Sequence, residues 1–192
     1  MNPQRIAIKL FVAPDPTAPV DVAPFTPLFH SFIQKSSVPG LLVDVADYAH
    51  VPNGPGIILI GHEVDYGIDS VEGRTGLLVV RKRFGAAPLG EVLRDTLAKG
   101  LACAKAIEED GRTGLPFATD AVQLQLLDRL VAPNDDAAFE AARAAAAPVF
   151  EALWGAHTIE RHGADDAAQP LALLARAKQE GAAGALRARP DG

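Results

Sequence analysis

Apolar positions change their period several times along the chain, and each change predicts an element. Ile6, Ile8, Leu10 and Val12 alternate with Arg5, Ala7, Lys9 and Phe11, the period of a strand with two unlike faces. Pro14, Pro16 and Pro19 follow; proline lacks the N–H that helices and ladders need, so this stretch is a connection. Thr26-Pro27 then offers a helix N-cap followed by proline at the first helical position. Leu28, Phe29, Phe32 and Ile33 form the apolar face of that helix, and Pro39-Gly40 stops it.

Leu41 to Tyr48 is rich in aliphatic and β-branched residues and reads as a strand. Pro52 to Gly56 is a turn, and Ile57 to Ile60 is apolar at every position, as in a strand covered on both faces. Leu77 to Arg83 forms another strand after a turn at Glu72-Gly73. Connections this short favour an antiparallel meander, because parallel neighbours need a long crossover.

Pro88 to Asp110 is the clearest helix, with Leu89, Val92, Leu93, Leu97, Leu101, Ala104 and Ile107 at three- and four-residue spacing. Val122 to Leu127 suggests a strand. Asn134 is placed to cap the next helix, with Asp135 and Asp136 set favourably against its dipole. Phe139, Ala142, Ala146, Val149, Phe150 and Leu153 form its buried face, and Pro148 is expected to kink or split it. His157 to Arg161 has the length of a short strand. Pro170 opens a last helix, and residues 186–192 read as a frayed tail.

The pattern therefore predicts an α+β (mixed α/β) fold. Its single sheet of about five or six strands contains an antiparallel meander and is packed by three to four helices. Residues 1–192 read as one domain. Val12-Ala13-Pro14-Asp15 recurs as Val131-Ala132-Pro133-Asn134, and Pro27-Leu28-Phe29 as Pro148-Val149-Phe150. These short matches suggest two related β-α-β halves, 1–115 and 116–185. They make Asp15 and Asn134 candidates for ligand binding at equivalent strand ends.

The formal charge of −6 argues against general nucleic-acid binding, which needs a basic surface. A lone cysteine, Cys103, cannot form an internal disulfide. No apolar run approaches the roughly 20 residues that span a bilayer, and Ile6 to Val12 is too short and alternating for a signal peptide. The expectation is a cytoplasmic protein without membrane contact.

Side chains able to do chemistry concentrate between Gly40 and Arg83. His62, Glu63 and Tyr66 are the candidate acid–base set, and His62 with Asp65 and Asp47 the candidate metal set. Asp47 and Tyr48 are further candidates for contact with a small-molecule ligand. The competing reading is structural, with Glu63, Asp65 and Asp69 paired to Arg74, Arg81 or Arg83. A turn at Glu72-Gly73 would then place His62 opposite Arg83. Nucleophile elbow, Walker loop, dinucleotide fingerprint and zinc-finger spacing do not occur, and no cofactor is implied. Three functions stand in order: a binding or assembly module, with a homo-oligomer as its simplest form; a small-molecule enzyme, a metal-dependent hydrolase, at His62-Glu63-Asp65; and a carrier of a small ligand between the two halves.

Overall fold

The computed structural model describes residues 3–16, 19–51, 56–82, 85–163, 166 and 168–178. In chain order the elements are β1 (Ile6–Val12), α1 (Phe25–Lys35), β2 (Leu42–Tyr48), β3 (Gly56–Gly61), β4 (Val64–Asp69), a 3₁₀ turn (Val71–Gly73), β5 (Gly76–Arg81), α2 (Leu89–Asp110), β6 (Phe117–Leu126), α3 (Asp136–Trp154), β7 (His157–His162) and β8 (Leu171–Ala177). The fold is α+β. Eight strands form one sheet in the order β2-β3-β4-β5-β1-β6-β8-β7, with every neighbouring pair antiparallel. Strands β2 to β5 form an antiparallel meander, as expected, but with β4 as an additional strand between β3 and β5.

Two strands beyond the expected count come from β4 and β8. Val64–Asp69 carries the candidate site residues Asp65 and Tyr66, yet Val64, Tyr66 and Ile68 alternate and turn into the core. Leu171–Ala177 opposes the expected last helix. Its Leu and Ala content favours helix locally, but pairing with both β6 and β7 overrides that weak preference. Three α-helices remain among the described residues.

All three helices serve one face of the sheet. Ile6, Ile8, Leu10, Leu77, Val79, Val122, Leu124 and Leu173 form one core with Phe29 of α1, Leu93 and Leu97 of α2, and Ala142 and Phe150 of α3. Helix α1 lies on β2 and β3, α2 on β1 and β5, and α3 on β7 and β8. Each of these helices crosses between parallel strands with others in between, and three right-handed crossovers here fall on the same face. At Gly100 a Cβ would stand 3.1 Å from both Ile8 Cδ1 and Val79 Cγ2, so a hydrogen there lets α2 sit close to the sheet.

Local signals shift by a few residues. Helix α1 begins at Phe25, before Thr26-Pro27, and Pro24 occupies its N-cap without a side-chain hydrogen bond. Asp135, not Asn134, caps α3 by accepting from the Ala138 N–H at 2.8 Å. Helix α3 runs continuously with Pro148 inside it.

The recurring tetrapeptides do not occupy equivalent places. Val12 ends β1, whereas Val131 lies beyond the end of β6. Among the described residues, no helix is long and apolar enough to cross a membrane. The turn residues 52–55, Arg83 and the tail 186–192 lie outside the described residues.

Candidate functional site

The β3–β4 hairpin places His62 and Glu63 at its exposed turn. Arg81, at the end of β5, donates to Glu63 Oε2 at 2.5 Å and stands 3.6 Å from Asp95 Oδ2 of α2. Lys99, one helical turn along α2, closes on Asp95. Hydrogen bonding from Arg81, and then its charge, hold the Glu63 carboxyl below its ordinary value of 4.5. Glu63 is thus committed as an anion, a poor starting point for proton transfer near neutrality.

Tyr66 is two residues into β4, fully buried on the helix side, and donates to the Pro39 carbonyl at 3.0 Å. Burial pushes its phenol well above the ordinary tyrosine range. It therefore stays neutral and faces away from the exposed His62-Glu63 turn. Asp65 points to the other side of the sheet, where Lys82 lies 2.7 Å from it and the Gly61 N–H donates to it at 3.1 Å.

Asp47 and Tyr48 lie at the far end of β2, opposite Ile57 and Gly56, while Gly61 marks the His62 end of β3. Four to five residues of strand put that metal pair on the order of 15 Å apart. Among the described residues, no group of three or more His, Cys, Asp or Glu is placed to hold a metal ion. The structure thus brings Glu63 to Arg81 and Asp65 to Lys82, and it does not gather His62, Asp65 and Asp47. The pairing of β4 with β5 ends at Val64 opposite Arg81, and the expected partner of His62, Arg83, lies outside the described residues.

Asp15 and Asn134 are also separated. Strands β1 and β6 are antiparallel, with Ile6 opposite Leu126, so the loops that follow them leave opposite ends of the sheet. Asp15 lines a groove of about 590 Å³ with Pro14, Pro16, Asp21 and Arg112, and sits 3.8 Å from Arg74. Asn134 is buried; it donates to the carbonyls of Gly163 and Asp166 and accepts from Arg161 Nε at 3.0 Å. All its polar atoms thus tie the loop to β7.

The larger feature is the sheet face on which no helix packs among the described residues. The pairing registers arrange it in three rows across the strands in their order from β2 to β7. The first row is Asp44, Ile60, Asp65, Val80, Ala7, Gln125, Ala172, His162. The second is Ala46, Ile58, Gly67, Leu78, Lys9, Gln123, Leu174, Glu160. The third is Tyr48, Gly56, Asp69, Gly76, Phe11, Ala121, Arg176, Thr158. Ile58, Ile60, Leu78, Val80 and Leu174 are partly exposed and outside the helix-side core.

Three polar side chains, Lys9, Asp69 and Gln123, are buried in this face. Lys9 Nζ donates to Asp69 Oδ2 at 2.6 Å and to the Val71 carbonyl at 3.1 Å, with its stem laid over Gly76. Gln123 is 2% exposed, and its Nε2 has no hydrogen-bond partner among the described residues. Arg74 stacks over the Phe11 ring at 3.9 Å and closes one end of the face.

Lys9 was readable as the polar member of an alternating strand. Asp69 as its partner was not, because β4 was hidden among polar residues. Asp95 and Lys99 carry only a weak signal, an i,i+4 pair on α2. Compared with known proteins, the sequence matches no family model, and no curated protein is significantly similar to it.

Proposed function

We propose that the protein is a binding and assembly module that works through the uncovered face of its sheet. The observation that carries this reading is the one-sided helix layer. A sheet with apolar side chains on both faces is stable when both are covered, and among the described residues the helices cover one face. Ile58, Ile60, Leu78, Val80 and Leu174 are partly exposed apolar side chains on this face, interspersed with small residues, the paired charges Lys9–Asp69 and Asp65–Lys82, and Gln123 and Gln125. The ion pairing of Glu63 and the burial of Tyr66 support a structural role for the His62 hairpin.

The test replaces Leu78, at the centre of the face, with lysine and compares light-scattering mass across a dilution series. The wild type is expected to run above the mass of one chain, and Leu78→Lys at that mass. Leu130→Lys serves as the control, because Leu130 is 98% exposed in the connection after β6, away from the face. It is expected to behave as wild type. If Leu78→Lys and the wild type share one mass at every concentration, the face is not an assembly surface.

A further inference from the structure

We propose that the β2 edge of the sheet is a docking site for an extended, basic segment of a partner protein, which joins it as an additional strand. This site is separate from the uncovered face and does not depend on assembly there.

Exposure is the first argument. Strands β2 and β7 end the sheet, each paired on one side only. Large apolar side chains standing in solvent gather at the β2 end, where Leu41 is 71% exposed, Val43 is 60% exposed, and Tyr48 and Val51 are exposed as well. At the β7 end Ile159 packs against the core, His157 meets the Gly155 carbonyl at 2.7 Å, and Arg161 is held by Asn134. Strand β2 thus presents apolar side chains beside backbone open on one side, the combination through which a sheet edge receives another strand.

The backbone is the second argument. The Leu41 carbonyl accepts from the His62 N–H at 2.8 Å, the register shifts between Leu42 and Asp44, and pairing then runs regularly from Asp44 to Tyr48. Residues of an antiparallel ladder alternate between those whose backbone bonds to the neighbour and those whose backbone points away. The Val45 N–H is met by Asp44 Oδ1 at 2.8 Å, which marks Val45, and two residues on Asp47, as the outward pair. Their N–H and C=O groups are the ones that a new strand engages. Asp44 holds the place of a partner carbonyl, and a strand that takes over the Val45 N–H frees that carboxylate to meet a cation.

Charge selects the partner. Strand β2 carries Asp44 and Asp47 and no basic residue, and among the described residues neither carboxylate has a cationic partner. Asp44 stands opposite Ile60 and Asp47 opposite Ile57, so the two carboxylates flank the strand on different faces. An antiparallel partner therefore fits best with an apolar residue opposite Val45 and cations opposite Asp44 and Asp47. The residue opposite Ala46 lies over a small side chain and has room to be apolar too. A second copy pairing through its own β2 would bring four carboxylates into one ladder, where like charges facing each other are destabilising. The bulge and the acidic side chains guard this edge against its own kind and leave it open to a basic strand.

The experiment titrates the isotopically labelled full-length chain with the capped peptide Thr-Lys-Val-Val-Lys-Val-Thr and follows the amide shifts by NMR. Saturable shifts centred on Val45 and Asp47, with slowed hydrogen exchange there, are expected. A twin peptide with glutamate in place of both lysines is expected to bind at least about tenfold more weakly. A second twin, with both central valine amides N-methylated, keeps the charge but cannot join a ladder from either edge, and is expected not to bind. In the double variant Asp44→Lys with Asp47→Lys, both exposed positions, the preference is expected to reverse toward the glutamate peptide. Leu78→Lys, three strands away in β5, is expected to bind the lysine peptide as wild type does, so failure of the uncovered face as an assembly surface is read separately. No saturable shift at about millimolar peptide, equal binding of the methylated twin, an unreversed preference in the double variant, or shifts centred away from β2 would overturn the inference. So would protection of the Val45 N–H that rises with protein concentration alone, which assigns the edge to a second copy.

Discussion

Replacing Lys9 by methionine is expected to destabilise the fold by about 3 kcal/mol, the low end of the ~3–5 kcal/mol for breaking a buried ion pair by removing one partner. The low end applies because Asp69 keeps a 3.3 Å hydrogen bond from the Val71 N–H after the lysine is gone. Side-chain exposures of 4% for Lys9 and 8% for Asp69 place both groups out of water, where an unpaired carboxylate is costly. Methionine keeps the unbranched stem that covers Gly76, so the loss reports on charge and not on packing. With a urea m-value of about 2–3 kcal/mol per molar, the unfolding midpoint should fall by about 1–1.5 M. The double variant Lys9→Met with Asp69→Leu removes both charges and is expected within about 1 kcal/mol of wild type. All chains are compared at one protein concentration, since assembly adds a concentration-dependent contribution. A Lys9→Met midpoint within experimental error of wild type, or a double variant as weak as the sum of the singles, would refute the reasoning.

Two further outcomes follow from the hairpin end of the sheet. Because Arg81 depresses the Glu63 carboxyl, its stabilisation should be fully present above about pH 4.5 and lost as pH falls through the lower folded value. Urea midpoints of wild type and Glu63→Gln should therefore differ near neutrality and converge in acid; a gap that widens in acid would contradict the assignment. Tyr66→Phe removes the hydrogen bond to the Pro39 carbonyl and is expected to cost about 1–2 kcal/mol in urea unfolding. Absorbance titration should then lose one phenol that ionises above the ordinary tyrosine range in the wild type.

Elements with an uninterrupted period were legible in the sequence. Ile6 to Val12, Ile57 to Ile60 and the long helix ending at Asp110 appear where the pattern puts them. The meander was legible from its short connections. Strand β4 was not, because its outward positions are Asp65, Gly67 and Asp69, whose polarity resembles a loop. Strand β8 was not, because Leu171 to Ala177 has helical composition, and only the partner strands β6 and β7 decide its state.

The candidate site was legible in chemistry and misleading in geometry. Residues close in sequence, His62, Asp65 and Tyr66, separate onto a turn and two faces of one strand. Asp15 and Asn134 separate because antiparallel strands send their following loops to opposite ends. The uncovered face was half legible: alternation in β1 announced a second face, but its width depends on the order of all eight strands, which no local pattern carries.

The measurement that bears most directly on the central claim is sedimentation equilibrium of the unmodified wild-type chain over a wide concentration range. The partly exposed apolar side chains of the sheet predict a reversible, concentration-dependent association above the mass of one chain. A single species of one-chain mass at every concentration would contradict it.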